Sequence, residues 1–236
     1  MKYFDMHVQT EGSDLGKIVE RAKLLELSGF AATDYFVGMT ELDMAQKTIE
    51  RAKKESGMDI AFGVLIKAET PDQLQSAVKK LRPKVELLLV HGGDYEINRA
   101  ASEMREVDMI CHPELDRKDP GMDHITMKSC ADNDVAIEIN VREIIESFKK
   151  HRLFIMNQMR RNIYLAKKYG TRIVTTSGSN GLWGLRSGRE LASIAHLLGL
   201  ELPAAIATVS AVPERILEEN RKKLSGESYP GVEVER

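Results

Sequence analysis

The stretch that decides the fold is Phe4-Asp5-Met6-His7-Val8-Gln9-Thr10, a short apolar run that ends in polar side chains. A run of this length and composition is typical of a buried β-strand. Similar runs recur along the chain, and the segments between them carry apolar residues at helical spacing. Alternation of strands and helices predicts a parallel sheet.

Eight strands are predicted in this way, and the chain between them contains no obvious linker. Closure into a (β/α)₈ barrel is therefore more economical than the alternative, an open sheet of the same strand order. We predict one barrel domain over residues 1–224, a last helix from about Val212-Pro213 to Lys223, and a flexible tail over 225–236. The predicted strands are Tyr3–Val8, Phe30–Tyr35, Ile60–Ile66, Val85–Val90, Val107–Cys111, Val135–Ile139, Arg172–Thr176 and Ala205–Val209.

Composition narrows the class of protein. The 236 residues are 42% hydrophobic and 30% charged, enough for one large core, and the net charge is only −2. Two cysteines, Cys111 and Cys130, are compatible with a reducing compartment and have no zinc-ligand spacing. We find no signal-peptide pattern and no apolar stretch near the roughly 18 residues that span a membrane, and so predict a soluble, cytoplasmic protein without membrane partners.

Polar residues gather at the predicted carboxyl ends of the strands, where barrel proteins place their chemistry. Three of the six histidines follow strands there, together with an acidic residue after the second strand. Imidazoles and carboxylates are the usual ligands of catalytic metals. The candidate ligands are His7, Asp34, His91 and His112.

The opening run resembles the polymerase-and-histidinol-phosphatase (PHP) barrels, in which the first strand ends in His-x-His. Gln9 stands in the place of the second imidazole. The resemblance places Tyr35, Leu65 and Ser179 at three further ligand positions, and none of these side chains is a good metal ligand. We therefore expect no catalytic residue and no metal. Two alternatives stay open for the remaining histidines: hydrogen bonding within a polar barrel mouth, or a weak, partial metal site.

The loop Ser177-Gly178-Ser179-Asn180 follows the seventh predicted strand. Its backbone amides are candidates for binding phosphate, and a plain strand-to-helix turn is the alternative. A sugar-phosphate isomerase or aldolase using this loop is a third possible function. Only Lys67 and Glu69 offer that function acid/base groups.

Positive charge is distributed unevenly along the chain. Residues 142–172 contain nine Lys/Arg against two acids, and further cations follow the fifth and seventh strands. Such a cluster attracts a phosphate backbone without sequence preference, although a solvated helix face is the alternative. The predicted RNA-binding residues are Arg117, Lys118, Arg142, Lys149, Lys150, Arg152, Arg160, Arg186 and Arg189.

Several motifs, in order along nearly the whole chain, resemble the archaeal ribonuclease P protein component 3 family. The more specific of them are Arg117-Lys118-Asp119-Pro120-Gly121-Met122-Asp123-His124 and Ala136-Ile137-Glu138-Ile139-Asn140. Phe4-Asp5-Met6-His7, Thr33-Asp34-Tyr35 and Leu185-Arg186-Ser187 accompany them. The resemblance implies a PHP-like barrel that serves as a protein subunit of ribonuclease P.

That resemblance also implies partners and a role. The subunit would bind the ribonuclease P RNA and pair with ribonuclease P protein component 2, as a heterodimer or heterotetramer, beside other ribonuclease P proteins. It would meet precursor tRNA indirectly and support removal of the 5′ leader. Catalysis and Mg²⁺ would belong to the RNA, and the chain itself would need no cofactor. The alternative is a metal-dependent PHP-type phosphoesterase with a reduced ligand set.

Overall fold

A computed structural model describes residues 1–227 of the chain. Within this part, eight parallel strands form one sheet in the order β7-β6-β5-β4-β3-β2-β1-β8. Each strand after the first pairs with its predecessor up to β7, so that the sheet curls in one direction. The strands are β1 Phe4–Gln9, β2 Gly29–Tyr35, β3 Asp59–Ile66, β4 Leu87–His91, β5 Met109–Cys111, β6 Ala136–Asn140, β7 Ile173–Thr176 and β8 Ser179–Asn180.

The two edges of this sheet meet, which makes it a nearly closed barrel. β8 follows β7 after only two residues and pairs with β1, with Val8 opposite Ser179 and Gln9 opposite Asn180. β7, at one edge of the sheet, thus continues directly into β8, which pairs with β1 on the other side of the sheet. The predicted barrel class is confirmed.

Ten α-helices surround the barrel within residues 1–227. Most lie between successive strands, as a parallel sheet requires. Their ranges are α1 Leu15–Leu24, α2 Met39–Ser56, α3 Pro71–Leu81, α4 Tyr95–Ser102, α5 His124–Asp132, α6 Val141–Glu146, α7 Lys149–Tyr169, α8 Gly188–Leu197, α9 Leu202–Ala207 and α10 Ala211–Leu224. Within the same residues, no helix combines the length and the apolar character needed to cross a membrane.

The predicted eighth strand, Ala205–Val209, is wrong. The segment 202–207 is helix α9, because Pro203 suits the first turn of a helix and the alanines that follow have high helix propensity. The two residues after this helix nevertheless lie where a last strand was expected: Phe4 donates a backbone hydrogen bond to Val209, and Thr175 donates one to Thr208. These two residues therefore bridge β7 and β1.

Two apolar layers hold the barrel together. Strand residues such as Met6, Leu65 and Leu89 fill its interior, and a larger layer lies between the strands and the outer helices. Helix α10 covers the amino-terminal end, where Ile216 and Leu217 join the interior cluster. The opposite end of the barrel, at the carboxyl ends of the strands, is left for polar side chains.

Polar contacts fix helix α10 in place. The Asn220 amide donates to the Asp108 carboxylate, 2.8 Å away, and the Arg221 guanidinium pairs with Asp59 and Glu86. The helix ends at Leu224. Of the predicted tail, 225–236, residues 228–236 lie outside the described part of the chain.

Helix α8 begins with a capping box, and the contribution of this motif to stability can be tested. The Ser187 hydroxyl accepts from the Glu190 amide, and the Glu190 carboxylate accepts from the Ser187 amide. Ser187→Ala should lower the free energy of unfolding by about 1 kcal/mol, since an N-cap side chain is lost. Urea unfolding of the two proteins measures this. Ser193→Ala, on the exposed face of the same helix, is the control; an equal loss there would contradict the capping argument.

Candidate functional site

The polar end of the barrel is built around the side chains of His7 and Glu138. His7 lies on β1 and Glu138 on β6, and both side chains are fully buried. The His7 Nδ1 is 2.6 Å from the Glu138 Oε1, which also accepts a hydrogen bond from the Thr176 hydroxyl at 2.6 Å. Three different strands therefore converge on one carboxylate, and this carboxylate fixes the orientation of the His7 ring.

His112 is the second histidine of this group. It follows β5 in a left-handed backbone conformation, with φ of 50°, which is uncommon for a residue other than glycine. Its backbone amide donates to the Glu138 Oε2 at 3.1 Å, so the same carboxylate holds the turn. The Glu143 Oε1 lies 3.2 Å from the His112 Nδ1, within ion-pair range but not aligned as a hydrogen bond.

His91 completes a row of three imidazoles. Its ring centroid is 5.0 Å from that of His112, which is in turn 5.3 Å from that of His7. The Tyr35 hydroxyl lies 3.2 Å from the His91 Nδ1. We call His7, His91 and His112 the histidine row. The predicted ligands at three strand ends therefore do come together.

Burial and neighbouring charges perturb the acid–base groups of this region. Burial alone would raise the pKa of Glu138, but His7, His112 and the hydrogen bonds outweigh burial and lower this pKa. Burial would lower the pKa of His112, but the Glu138 and Glu143 carboxylates raise it. For His91, burial and then the nearby His112 lower the pKa to about 4. The region therefore favours an ionised Glu138 beside a neutral His91.

Two further buried acids lie close by. Burial raises the pKa of Asp5 to about 6, although Asp5 accepts a hydrogen bond from the Ser177 amide. Burial likewise raises the pKa of Glu114 to about 8. The polar end of the barrel thus contains several carboxyl groups whose charge is costly.

The fourth predicted ligand, Asp34, does not join the histidine row. Its carboxylate accepts hydrogen bonds from the backbone amides of Thr10 and Glu11, 2.6 and 2.9 Å away, and from the Thr10 hydroxyl. These contacts tie the end of β2 to the loop after β1. The structure therefore does not bring Asp34 together with the three histidines, and its carboxylate is occupied by this loop.

A substitution tests the role of Asp34. Asp34→Ala should lower the free energy of unfolding by about 1–3 kcal/mol, because it leaves a hydroxyl and two amides without their acceptor. Chemical denaturation gives this value, with Asp43→Ala on the exposed side of α2 as the control. Equal stability of the two variants would argue against the loop contact.

The segment 177–180 is a tight turn that leads directly into β8, rather than an open phosphate cradle. The Ser177 amide is taken by Asp5, and the Ser179 hydroxyl bonds to the Gly181 carbonyl. Gly178 has a φ of 59°, and an added Cβ would meet the Asn140 side chain. The turn alternative is therefore favoured. Lys67 and Glu69, proposed as acid/base groups for an isomerase, are exposed on the surface.

The predicted RNA-binding residues divide into two groups. Some are occupied by contacts within the chain: Arg117 pairs with Asp119 through two 2.8 Å contacts, and Arg186 donates to three carbonyls of its own loop. The Arg152 guanidinium donates to the Ser147 carbonyl, and Arg142 lies near Glu143 and Glu146. These arginines stabilise the loops that carry them.

The second group is exposed. Lys118, Lys149 and Lys150 follow the carboxyl ends of β5 and β6, and none has a carboxylate partner among the residues described. A cleft of about 340 Å³ joins the loop of Lys118 to the start of α7 at His151. We call these three lysines the lysine rim. Phe148, which directly precedes Lys149 and Lys150, is 72% exposed.

Two predicted cations lie away from this rim. Arg189 approaches Glu26, at 3.8 Å, in the segment before β2, and Arg160 donates to the carbonyl of Leu197 at the end of α8. Helix α7 explains the separation, since 21 residues extend over roughly 30 Å. The run of charge over 142–172 therefore does not form one patch.

Glu138 is the important residue for which the sequence predicted no role. Its signal was a charged residue inside the apolar run of β6, which is unusual unless the charge is paired. The partner His7 is 131 positions away. Only the barrel brings the two side chains together.

Comparison with known proteins identifies the family. The RNase P subunit p30 family matches residues 2–225. The ribonuclease P protein component 3 of Methanosarcina barkeri is 32% identical over 236 residues, covering 99% of this chain and 95% of the relative. That of Methanothermobacter thermautotrophicus is 30% identical over 221 residues, covering 93% and 90%.

Comparison with solved structures agrees with this family assignment. A chain in the cryo-EM structure of archaeal ribonuclease P with mature tRNA matches with a TM-score of 0.84 and 26% identity, covering 99% of this chain and 98% of that one. Histidinol phosphate phosphatase from Lactococcus lactis matches with a TM-score of 0.59 at 12% identity, covering 86% and 94%, which shows a shared barrel fold alone. The predicted ribonuclease P subunit is supported over the phosphoesterase alternative. The chain belongs to the RNase P subunit p30 family.

Proposed function

We propose that this chain acts in the cytoplasm as a protein subunit of ribonuclease P that binds the RNA subunit and supports removal of the 5′ leader from precursor tRNA. The family match over almost the whole chain carries this proposal. In it, the chain pairs with ribonuclease P protein component 2, and the RNA with its Mg²⁺ performs the cleavage.

The polar end of the barrel supports a role without hydrolysis by the chain. Leu65, at a ligand position of the PHP pattern, is fully buried in the apolar interior. Ser179 and Tyr35, at two others, are engaged by Gly181 and His91. Hydrolases with two or three metals need ligands at such positions. The alternative phosphoesterase is therefore the weaker hypothesis.

The lysine rim is the surface that we propose for contact with RNA. Its three ammonium groups are exposed and unpaired among the described residues, so they lose no ion pair when a phosphate approaches. The exposed Phe148 ring beside two of them suits stacking on an unpaired base. Attraction of phosphates by the lysines, together with stacking of an unpaired base on Phe148, suits a structured RNA that has single-stranded loops.

Reconstitution tests the proposal. The purified chain is added to the cognate ribonuclease P RNA, component 2 and the other protein subunits, and cleavage of precursor tRNA is measured with and without it. We expect faster cleavage in its presence, and no cleavage by the chain alone. Cleavage rates that do not respond to the chain would contradict the proposed function.

A further inference from the structure

A cleft of about 540 Å³ lies between helix α7 and the loop at 117–124. The loop is part of the sequence motif that resembles the ribonuclease P family, and every one of its residues lines the cleft. A second hollow of about 530 Å³ on α7 shares Gln158, Arg161 and Leu165 with the first. The two therefore form one continuous surface, which we call the α7 cleft. Each volume is typical of a site for a small ligand.

Hydrogen bonds hold the loop side of the α7 cleft in place. The Asn98 amide donates to the Gly121 carbonyl at 2.9 Å, and the Asn162 amide donates to the Pro120 carbonyl at 2.8 Å. Gly121 has a φ of 71°, and an added Cβ would clash with the Pro113 carbonyl. A wall that is fixed before binding lowers the ordering cost of a complex. The loop therefore offers a preformed surface.

The helix side of the cleft presents three kinds of group. Asn157, Arg161 and Tyr164 are spaced at i, i+4 and i+7, so they share one face of α7. Tyr164 is 67% exposed, and its ring is open to a ligand. A carboxamide, a guanidinium and an aromatic ring thus follow one another over roughly 10 Å of the helix axis.

The free charge of the cleft is positive. Arg161 and Lys118 have no carboxylate partner among residues 1–227. The two acids of the loop are engaged within the chain, since Asp119 pairs with Arg117 and Asp123 caps helix α5. Helix α7 itself contains no Asp or Glu. An anionic group that enters the cleft therefore meets two cations and no unpaired carboxylate among the lining residues.

We propose that the α7 cleft binds one unpaired nucleotide of an RNA strand. The phosphate lies between Arg161 and Lys118, because guanidinium and ammonium groups are the usual partners of phosphate. The base stacks on Tyr164, and its edge forms hydrogen bonds with the Asn157 carboxamide. An acidic protein segment would match the cations alone, whereas a nucleotide matches the cations, the ring and the carboxamide together.

This inference rests on the proposed function in one respect, since that function supplies the RNA. It goes beyond the lysine rim, because Lys118 is the one rim residue that also lines the α7 cleft. The rim attracts any phosphate backbone, whereas the cleft uses the base as well and so selects a single strand.

Binding of a short single strand by the isolated full-length chain tests the cleft. Fluorescence anisotropy of a labelled oligouridylate gives the affinity, and the same strand annealed to oligoadenylate is the second probe. Tyr164→Ala should weaken binding of the single strand by about 5–150-fold, the loss expected for one stacked base, and should leave binding of the duplex unchanged. Tyr164→Phe keeps the ring and should bind as the wild type does.

Charge and position have their own variants. Arg161→Gln should reduce the slope of log affinity against log salt by about 0.7, the value for one contact with a single strand. Lys47→Gln, at an exposed lysine of α2, removes the same charge elsewhere and should keep the slope. Leu153→Ala, at a 62% exposed position of α7, is the control for Tyr164→Ala.

Three results would overturn the proposal: no binding of the single strand by the folded wild-type chain, wild-type affinity in Tyr164→Ala, or an equal loss for the duplex. A short peptide of alternating glutamate and leucine serves as a further probe. If it binds more tightly than the oligouridylate and Tyr164→Ala abolishes that binding, the cleft holds an acidic protein segment instead. No other ribonuclease P component is present, so a chain that supports reconstituted cleavage but fails here refutes the cleft and not the proposed function.

Discussion

Substitution of Glu138 by leucine is expected to lower the free energy of unfolding by about 3–5 kcal/mol, since each buried donor left without its acceptor costs about 1–3 kcal/mol. The change removes the acceptor of the His7 Nδ1, of the Thr176 hydroxyl and of the His112 amide at once. Urea unfolding of the wild-type chain and the variant measures the loss.

Two further variants define the cause of this loss. Glu146→Leu introduces the same side chain at an exposed position of α6 and should change stability by no more than about 0.5 kcal/mol. Glu138→Leu combined with His7→Leu removes both partners, so its effect should be smaller than the sum of the single changes by about 1–3 kcal/mol. Additive effects would show that Glu138 and His7 do not stabilise each other.

The sequence predicted seven strands of the barrel because each is a continuous apolar run, buried on both sides. The eighth strand could not be predicted from the sequence, and the reason is physical. β8 consists of Ser179 and Asn180 alone, and nothing in two polar residues indicates a strand. Its pairing with β1 is imposed by closure of the sheet. The apolar run at 205–209 was a better strand by composition, but its first three residues belong to helix α9.

The site was predictable in part. Histidines after strands β1, β4 and β5 were expected to converge, and they do, because parallel strands place their carboxyl ends at one end of the barrel. The occupation of Asp34 by Thr10 was not predictable, since it depends on the course of a loop. The distribution of the cations over 142–172 was not predictable either, since residues at the two ends of the long helix α7 lie far apart.

Removal of the lysine rim is expected to have the largest effect on RNA binding. The triple variant Lys118→Gln, Lys149→Gln and Lys150→Gln deletes three exposed charges that have no carboxylate partner among the described residues. Each lost phosphate contact should reduce the slope of log affinity against log salt by about 0.7–0.9. The slope should therefore fall by roughly 2–3 units. Filter binding of the ribonuclease P RNA at several salt concentrations measures it.

Neutralising these lysines should leave the fold intact, because none of them is buried. That separates them from Arg117 and Arg186, whose loss would disturb the loops they stabilise and would give an ambiguous result. The lysine variant therefore measures the effect of the surface charges on RNA binding, and not the effect of a disturbed loop. Circular dichroism and unfolding midpoints unchanged from the wild type would establish this.

A matched variant decides whether position or total charge matters. Lys79→Gln, Lys84→Gln and Lys222→Gln remove the same charge from exposed sites near the ends of α3 and α10, towards the opposite end of the barrel. If RNA meets the lysine rim, this control should keep the wild-type slope, and reconstituted cleavage at moderate salt should fall by at least about tenfold only in the rim variant. Equal losses in both variants would mean that RNA responds to net charge, and the rim would then have no special role.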